Sequence, residues 1–498
     1  MNRSNRQSPE GSITPGADFL QLDAADAPRG GLSDWLAARL RGAVADGRLP
    51  VGSRLPATRV LAAELGVSRG VVTEAYQRLG EDGHIAGRGR AGTVVVAAPV
   101  AAAAPTDTRL DARPGPARSP FAAAPGDDAF DELRAAPARL DLAPGVPDLA
   151  AFPRTAWLRA ERAVLDGLSA ADLGYGDPRG AWALRSAVAD WLARNRGIRT
   201  RPHDVVVVAG VAQALTLLAP VLRRAGADAV AVEEPGSLGA RRHLMHAGLQ
   251  TPPVAVDGQG LRIDELHASG APAALLTPAH QFPTGVVLSG RRRRELARWA
   301  GQGGLIVEDD YDAEHRYGRP PVPAVQAMLP ESTCYTGSIS KLLAPALRVG
   351  WMLVPERHHE ALVAAKRFAA LGNAVLPQLV LARLMASGEL ERHLRMLRRR
   401  HRRRRDASVA AIAEHLPGAR VHGAAAGLHL LVTFDDAAFS DTELAAAALE
   451  EGVKVHPLSW HTQTQGAPPG LVLGYAARTP SELAEGAAVL ARALARLR

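Results

Sequence analysis

The feature that most constrains this chain is an alternation of short apolar runs with amphipathic segments that begins at Leu140. Apolar runs of this length, bounded by glycine or polar residues, are typical of buried strands. The predicted strands are Val205–Ala209, Ala229–Val232, Ala273–Thr277, Leu305–Glu308, Cys334–Thr336 and Val349–Val354. Strands that alternate with helices predict an α/β domain with a mostly parallel sheet. Because such folds bind ligands beyond the carboxyl ends of their strands, the residues after each run are candidates for a site.

The composition describes a globular protein rather than a membrane or secreted one. The chain has 498 residues, of which 47% are hydrophobic and 22% charged, and this length suggests about two or three domains. Its net charge of +8 suits a polyanionic partner without demonstrating one. The single cysteine excludes a disulfide framework and favours a cytoplasmic location. We expect no secretory signal, and the uncharged stretch 205–222 is better interpreted as a buried strand entering a helix than as a membrane span.

Residues 18–97 predict a small helical unit that ends in a hairpin. Apolar residues recur at helical spacing in three short segments, and Gly66 makes the turn between the second and the third. Ser68 is placed to cap the third helix, whose N-terminus presents Ser68, Arg69 and Thr73 outward. Two short helices joined through a glycine turn are the helix-turn-helix pattern, whose second helix reads the major groove of DNA. Residues 88–96 predict a basic turn leading into a strand, which forms a wing.

A purely structural three-helix unit is the alternative to DNA binding. Seven arginines against four acids between residues 48 and 93 make this region only mildly basic, so the helical spacing and the wing favour DNA binding more than the charge does. Residues 87–92 also match GxGxxG, but they precede a strand instead of opening a helix, which argues against a dinucleotide site. We expect residues 1–17 to be a disordered tail, and the Ala- and Pro-rich residues 98–139 to be a linker that cannot bury a core.

The stretch from Cys334 to Trp351 carries the least replaceable chemistry. Of 59 lysines and arginines, only those at positions 341, 366 and 454 are lysines. The Lys341 amine can lose its proton and condense with an aldehyde, whereas a guanidinium stays charged. Nearby serines and Arg348 supply hydrogen bonds and charge that suit a phosphate monoester. A Schiff-base lysine among phosphate ligands is how proteins hold pyridoxal 5′-phosphate (PLP), and a strand-to-helix turn with a solvated lysine is the alternative.

Two further segments follow predicted strands and offer ligands. Gly210, Val211 and Ala212 open a helix, so their free backbone N–H groups can hold a phosphate. The acidic run 308–312 can place a buried carboxylate against a pyridinium nitrogen, and an exposed acidic strand end is the alternative. A calcium-binding loop is excluded, because His315 and Pro321 occupy the positions that need glycine and glutamate, and no metal site is predicted.

Residues 19–97 resemble the winged-helix domain of the GntR superfamily of bacterial regulators. The likeness is carried by residues 47–59, 65–69, 75–76 and the Gly92-Thr93 wing. By this resemblance, the residues that would contact operator DNA are Arg59, Ser68, Arg69, Thr73, Arg88 and Arg90. Gly70 departs from the hydroxyl residue that is usual in this recognition helix.

The rest of the chain, residues 140–498, resembles the fold-type I aminotransferases, with a large domain and a smaller C-terminal α+β lobe. The motifs that follow the family's order are residues 175–180, 184–185, Gly210, 283–285, Asp309, Tyr311, Ser338, Lys341 and Arg348. With the GntR-like unit in front, the whole chain resembles the MocR subgroup of GntR regulators. The segments most specific to that subgroup are residues 280–285, 308–312 and 338–348.

The resemblance implies a PLP site and a homodimer. It assigns the Schiff base to Lys341, the pyridine nitrogen to Asp309 and the neighbourhood of the ring hydroxyl to Tyr311. The phosphate would contact Ser338, Arg348 and the amides of residues 210–212, and Tyr175 would reach the partner subunit's cofactor.

Three residues depart from the aminotransferase pattern. Phe282 replaces the asparagine of Asn-Pro-Thr-Gly, a change that regulators of the subgroup share, and Ser237 replaces the tyrosine that stacks on the cofactor. Val472 replaces the arginine that pairs a substrate carboxylate, and a carboxylate desolvated without a partner costs several kcal/mol. We therefore expect a PLP-dependent regulator that senses PLP, an amine or an amino acid and is not an enzyme. One alternative is an active aminotransferase with an appended DNA-binding unit, and another is a pure DNA-binding protein with a vestigial cofactor site, which Ser237 suggests.

An arginine-rich segment, residues 383–405, admits two interpretations. It can hold DNA that flanks a binding site. A solvated helix that packs Leu390, Leu394 and Leu397 inward is the interpretation the pattern favours.

Overall fold

The structure is a computed structural model, and it describes residues 22–28, 31–81, 84–87, 89, 92–96, 120–121, 124–317, 322–435 and 438–498. The chain divides into two compact units, residues 1–117 and residues 118–498, and each has its own hydrophobic core. Within these described ranges, no helix is both long enough and apolar enough to cross a membrane.

The first unit is a three-helix cluster with a small antiparallel sheet. Its elements are the 3₁₀ turn Ala24–Asp26, the helices Leu32–Ala45, Thr58–Glu64 and Arg69–Glu81, and the strands Arg54–Leu55, Ile85–Gly87 and Thr93–Val95. The last strand lies between the other two, so the wing is hydrogen-bonded on both sides. One face of each helix is buried in a common core, and the Tyr76 hydroxyl donates to the Pro56 carbonyl at 2.9 Å. The predicted winged helix-turn-helix is confirmed.

The second unit is built on a mixed sheet in which parallel pairs predominate. In spatial order its strands within the described residues are Val206–Val208, Gly350–Leu353, Thr333–Ser338, Leu305–Asp310, Ala273–Leu276, Val230–Glu234, Pro253–Asp257 and Gly260–Leu261. Gly350–Leu353 runs antiparallel to both neighbours, so its first residue lies at the same sheet edge as the last residues of the parallel strands. The predicted α/β class is confirmed.

Helices cover both faces of this sheet. Alternate strand residues point to opposite sides, so one set packs against Val211–Arg224 and Glu356–Ala370 and the other against Trp182–Arg196, Val375–Ala386 and Gly290–Gly301. Burial on both faces explains why these strands are apolar without a polar alternation. The other helices of this part are Arg154–Leu165, Leu238–His246 and Ile263–Ala268.

A smaller lobe completes the second unit. Its antiparallel sheet contains Ala419–His422, His429–Phe434, Gly470–Gly474 and His456–Pro457, and Leu140–Asp141 pairs separately with Val453–Lys454. Asp441–Glu450 and Pro480–Leu497 pack on this lobe, and both begin with a capping box. The long helix Glu389–His415 packs against Pro480–Leu497.

The predicted linker 98–139 is wrong in its C-terminal part. Residues 129–135 form the helix Ala129–Ala135, and Phe121, Ala129 and Leu133 are buried in the core of the smaller lobe. The Phe121 ring lies 5.2 Å from that of Trp460, centroid to centroid. Periodicity failed here because only these few apolar residues insert into a core made by distant segments. Most of the remaining linker and the predicted tail 1–17 lie outside the described residues.

Candidate functional site

The sheet edge of the second unit gathers a cluster of groups that suit a phosphate. Gly210 has φ +97°, a conformation that L side chains rarely adopt, and it precedes the helix Val211–Arg224. A Cβ atom at Gly210 would lie 3.7 Å from Nη1 of Arg348 and 3.9 Å from Oγ of Ser338. The backbone N–H groups of Val211 and Ala212 lie in the first turn of this helix, where no helix carbonyl accepts from them, so they favour an anion. The predicted phosphate ligands therefore converge on one spot.

Arg348 itself is held in an unusual backbone conformation. Its φ of 51° is left-handed, a state that costs a non-glycine residue energy and persists where the surroundings hold it. In the part of the chain that the structure describes, its guanidinium has no hydrogen bond or ion pair, although it is exposed next to Gly210. A cation without a protein partner beside free backbone donors is available for an anionic ligand.

Lys341 follows the strand Thr333–Ser338 and points back into the site. Its ammonium group donates to the carbonyl of Gly145, and a Cβ at Gly145 would approach Nζ to 2.8 Å. Burial lowers the pKa of Lys341 from its usual value, and the Asp312 and Asp309 carboxylates oppose that change. A lysine whose pKa is lowered has more of the neutral amine that attacks a carbonyl carbon.

Asp309 lies near the end of the strand Leu305–Asp310, close enough to Lys341 for their charges to interact. Burial, together with Asp310 and Asp312, raises the pKa of Asp309 to about 7, while Lys341 opposes the increase. Its Oδ1 atom is buried and has no hydrogen-bond partner among the described residues. Buried polar atoms are normally hydrogen-bonded, so a carboxylate oxygen without a partner fits a ligand that donates a hydrogen bond to it.

Tyr311 is tied to a histidine that the sequence prediction did not single out. The Tyr311 hydroxyl lies 3.1 Å from Nδ1 of His280, and the same nitrogen lies 2.9 Å from Oδ2 of Asp312. Burial, followed by the charge of Asp312, raises the pKa of Tyr311 well above its usual value. His280 therefore orients the tyrosine hydroxyl. Its only sequence signal was its place in the segment 280–285.

Glu308 and Asp310, in the acidic run 308–312, are buried and bind different partners instead of lying at an exposed strand end. The Asp310 carboxylate pairs with Arg196 at 2.5 Å and accepts from the Tyr335 hydroxyl at 2.6 Å. Glu308 accepts from the backbone N–H groups of Val325 and Gln326, both at 2.9 Å. The alternative of an exposed acidic strand end is therefore wrong, because Glu308, Asp310 and Asp312 are buried and their carboxylates have partners outside the run.

Two of the departures from the aminotransferase pattern have a structural role. Ser237 caps the helix Leu238–His246, and its hydroxyl accepts from the Ala240 N–H at 3.3 Å. Val472 is fully buried in a small apolar cluster with Leu431 and Leu458, against which Phe282 packs. The position that would pair a substrate carboxylate thus contributes to an apolar surface beside the ring of Phe282.

Two hydrogen-bond networks behind the site escaped prediction. Oε2 of Glu233 accepts from the Thr277 hydroxyl at 2.6 Å, and burial raises the pKa of Glu233 to about 7. Behind the Gly210 turn, the buried Lys366 ammonium group donates to the Val207 carbonyl at 2.5 Å and to the Asn373 side chain. The Asn373 amide donates to Oε1 of Gln213, which also accepts from the Ala209 N–H at 2.7 Å. Three of these links join residues more than 40 positions apart, so no local pattern predicts them.

In the first unit, Arg59, Ser68, Arg69 and Thr73 are all exposed at the second and third helices. Nε of Arg69 donates to the Thr58 hydroxyl at 3.3 Å, which links the two helices. Gly70 is exposed, and a Cβ there would meet only the Ser68 hydroxyl, at 3.7 Å. The predicted wing contacts Arg88 and Arg90 lie outside the described residues. Arg54, which sequence reasoning did not select, is exposed beside Gly92 of the wing.

Fold and site together define a winged-helix DNA-binding unit joined to a unit of the fold-type I aminotransferase class. The family model for bacterial regulatory proteins of the gntR family matches residues 32–95, and the model for class I and II aminotransferases matches residues 139–490. The chain belongs to the MocR-type regulators of the GntR family.

Relatives of both kinds support this assignment. The chain is 33% identical to the probable rhizopine catabolism regulatory protein MocR of Rhizobium meliloti over 94% of each chain. It is 31% identical to the pyridoxine biosynthesis transcriptional regulator PdxR of Corynebacterium glutamicum, over 88% of this chain and 91% of that protein. Among solved structures, the kynurenine aminotransferase of Pyrococcus horikoshii is similar with a TM-score of 0.67 and 26% identity, over 74% of this chain and 93% of that one.

Proposed function

We propose that the protein is a transcription regulator that binds operator DNA through its winged helix and senses PLP, or an adduct of PLP with an amine, in its aminotransferase-like unit. The observation that carries the cofactor half is that the half-buried Lys341 and Asp309 are close enough for their charges to interact, while the Asp309 Oδ1 atom is buried and has no partner among the described residues. PLP supplies an aldehyde for a lysine amine, a phosphate for an anion site and a protonated ring nitrogen for a carboxylate.

The residues of this chain divide these tasks between them. Lys341 would hold the aldehyde carbon covalently, and the Asp309 carboxylate would accept a hydrogen bond from the protonated ring nitrogen. Ser338, Arg348 and the amides of residues 210–212 would bind the phosphate. Ser237 leaves the ring without a stacking tyrosine, so the covalent bond and the phosphate contacts would carry most of the affinity.

A homodimer is part of this proposal. The second unit exposes several large apolar side chains, which are Leu158, Leu173, Tyr175, Trp182, Phe368 and Leu371. Tyr175 is 98% exposed, and Gly372 lies beside Pro178, so the segments around residues 175 and 371 are adjacent. Exposed apolar groups of this size mark an interface. The partner that these side chains fit is a second copy of the chain. In that dimer, Tyr175 would reach the cofactor of the partner subunit.

Borohydride trapping tests the cofactor half. Protein incubated with PLP should develop an absorbance band near 400–430 nm, roughly the range of a lysine Schiff base. Reduction, proteolysis and mass spectrometry should then locate the added group on Lys341 and on neither of the other two lysines, Lys366 and Lys454. Label at another lysine, or no band in wild-type protein, would contradict the assignment.

DNA binding to the region upstream of the protein's own gene tests the other half, with salt concentration fixed. Arg69→Ala should weaken this binding and leave the cofactor band intact, because Arg69 is exposed on the recognition helix. Loss of both properties together would indicate misfolding. Rapid single-turnover conversion of bound PLP to its amine form by many amino acids would instead favour an active aminotransferase, which the apolar surroundings of Val472 argue against.

A further inference from the structure

The helix Glu389–His415 carries a charge that its own residues do not balance. It holds nine arginines against four acidic residues, so this one helix accounts for more than half of the chain's net charge of +8. The excess is confined to one stretch of the second unit, outside the winged helix and outside the cofactor site.

The two sides of this helix have different roles. Leu390, Leu394, Leu397 and His401 are buried, as the packing interpretation of the sequence required. Arg400 and Arg404 flank that side and both pair with the buried Asp148, at 2.9 and 2.8 Å. The opposite side is an arginine surface, which consists of Arg395, Arg399, Arg402 and Arg403.

All four side chains of the arginine surface are exposed, and within the described residues none of them makes a hydrogen bond or an ion pair. They span a little over two turns, about 12 Å along the helix axis at 1.5 Å per residue. The nearest acidic residues in sequence are already engaged, since Glu391 pairs with Arg194 at 3.3 Å and Asp406 with Arg405 at 2.6 Å.

A second arginine run in the same unit is paired in part. Arg291 and Arg292, in the helix Gly290–Gly301, both lie 3.6 Å from carboxylate oxygens of Glu295. Arg292 also pairs with Asp257 at 2.7 Å, and Arg293 donates to the Pro323 carbonyl at 3.0 Å. In the same helix, Arg294 and Arg298 are exposed and make no hydrogen bond or ion pair within the described residues, so the arginine surface differs from this run in presenting four such arginines along one side of a helix.

We propose that the arginine surface is a second DNA-binding surface, which contacts phosphates of the duplex without reading its sequence. Guanidinium groups pair well with phosphate oxygens, and a row of exposed cations on a rigid helix suits a polyanion. DNA is the polyanion to which the chain's other unit is directed, so the proposal rests on the proposed function for its partner. The surface would add affinity for DNA that extends beyond the site held by the winged helix.

Salt dependence measures phosphate contacts directly and needs no knowledge of the operator. The full-length variant with Arg399, Arg402 and Arg403 changed to glutamine removes three charges from the surface, and glutamine retains helix propensity. A matched control changes Arg201, Arg420 and Arg492, three exposed arginines of the second unit that each pair with a carboxylate, to glutamine. Fluorescence anisotropy with a random-sequence duplex, between about 50 and 200 mM KCl, gives the slope of log affinity against log salt.

Each lost phosphate contact lowers that slope by about 0.9, so the surface variant should lose about two to three and the control less than one. Equal slopes for wild-type protein and both variants would overturn the proposal, as would equal losses in the two variants. A different result would assign the surface to a membrane. In that case wild-type protein binds vesicles of anionic phospholipid, the surface variant does not, and the salt slope of the surface variant on DNA equals that of wild type. An intact cofactor band shows that a variant is folded. A failure of the proposed function would be seen in a different measurement, because the Arg69→Ala protein would then bind the operator as well as wild type does.

Discussion

Replacing Asp309 by asparagine is expected to stabilise the cofactor-free protein above neutral pH and to weaken its hold on PLP. The carboxyl group is surrounded by Asp310 and Asp312, is compensated only in part by Lys341, and has a buried oxygen without a partner among the described residues. Such a group suits a cationic ligand and costs stability when the ligand is absent. Asparagine has the same shape and no charge.

The magnitude follows from the pKa change. The pKa of Asp309 rises from 3.8 to about 7, and each unit corresponds to about 1.4 kcal/mol. Because the unfolded chain releases this proton near pH 4 and the folded chain only near pH 7, wild-type stability falls as pH rises through that window and stays low above it. The full change is roughly 4 kcal/mol, which solvent screening of the partly exposed side chain reduces to about 2 kcal/mol.

Urea denaturation of cofactor-free protein at about pH 5 and pH 8 measures this difference. Asp309→Asn should be more stable than wild type by about 2 kcal/mol at pH 8 and by less than about 1 kcal/mol at pH 5. Its PLP affinity should fall at least about tenfold, since a hydrogen bond to a charged group is lost. Asp190→Asn, at an exposed position, is the control and should change neither property. A gain that is absent, or equal at both pH values, would refute the reasoning.

Four further substitutions probe the scaffold and the phosphate cluster. Arg196→Ala leaves the buried carboxylate of Asp310 uncompensated and should lower the free energy of unfolding, measured in urea, by about 3–5 kcal/mol. Tyr335→Phe removes one hydrogen bond to the same carboxylate and should lower it by about 1 kcal/mol. Gly210→Ala, at φ +97°, should reduce PLP affinity on the order of tenfold and leave the affinity for pyridoxal, which lacks the phosphate, unchanged. Lys366→Met breaks the hydrogen-bond network that reaches Gln213 in the helix after Gly210. Titration should therefore show a larger loss of affinity for PLP than for pyridoxal. An equal loss of affinity for both ligands would mean a purely structural role.

The sequence alone determined the class of each unit, because the relevant information is local. Apolar runs of strand length between amphipathic helices predicted the sheet, and helical spacing around Gly66 predicted the winged unit. The rarity of lysine in an arginine-rich chain singled out Lys341, since that choice depends on side-chain chemistry and not on packing. The assignment of individual residues to the cofactor and to DNA remains a prediction, which the experiments above test.

The tertiary structure decided what depends on contacts between distant segments. It buried Phe121 of the predicted linker, gave His280 its place between Tyr311 and Asp312, and joined Lys366 to the phosphate turn. It also decided which arginines of the two arginine-rich helices pair with carboxylates and which have no partner among the described residues. Burial, and with it the pKa values and the pairing of charges, is set by neighbours that the fold brings together, and a single sequence does not state which residues those are.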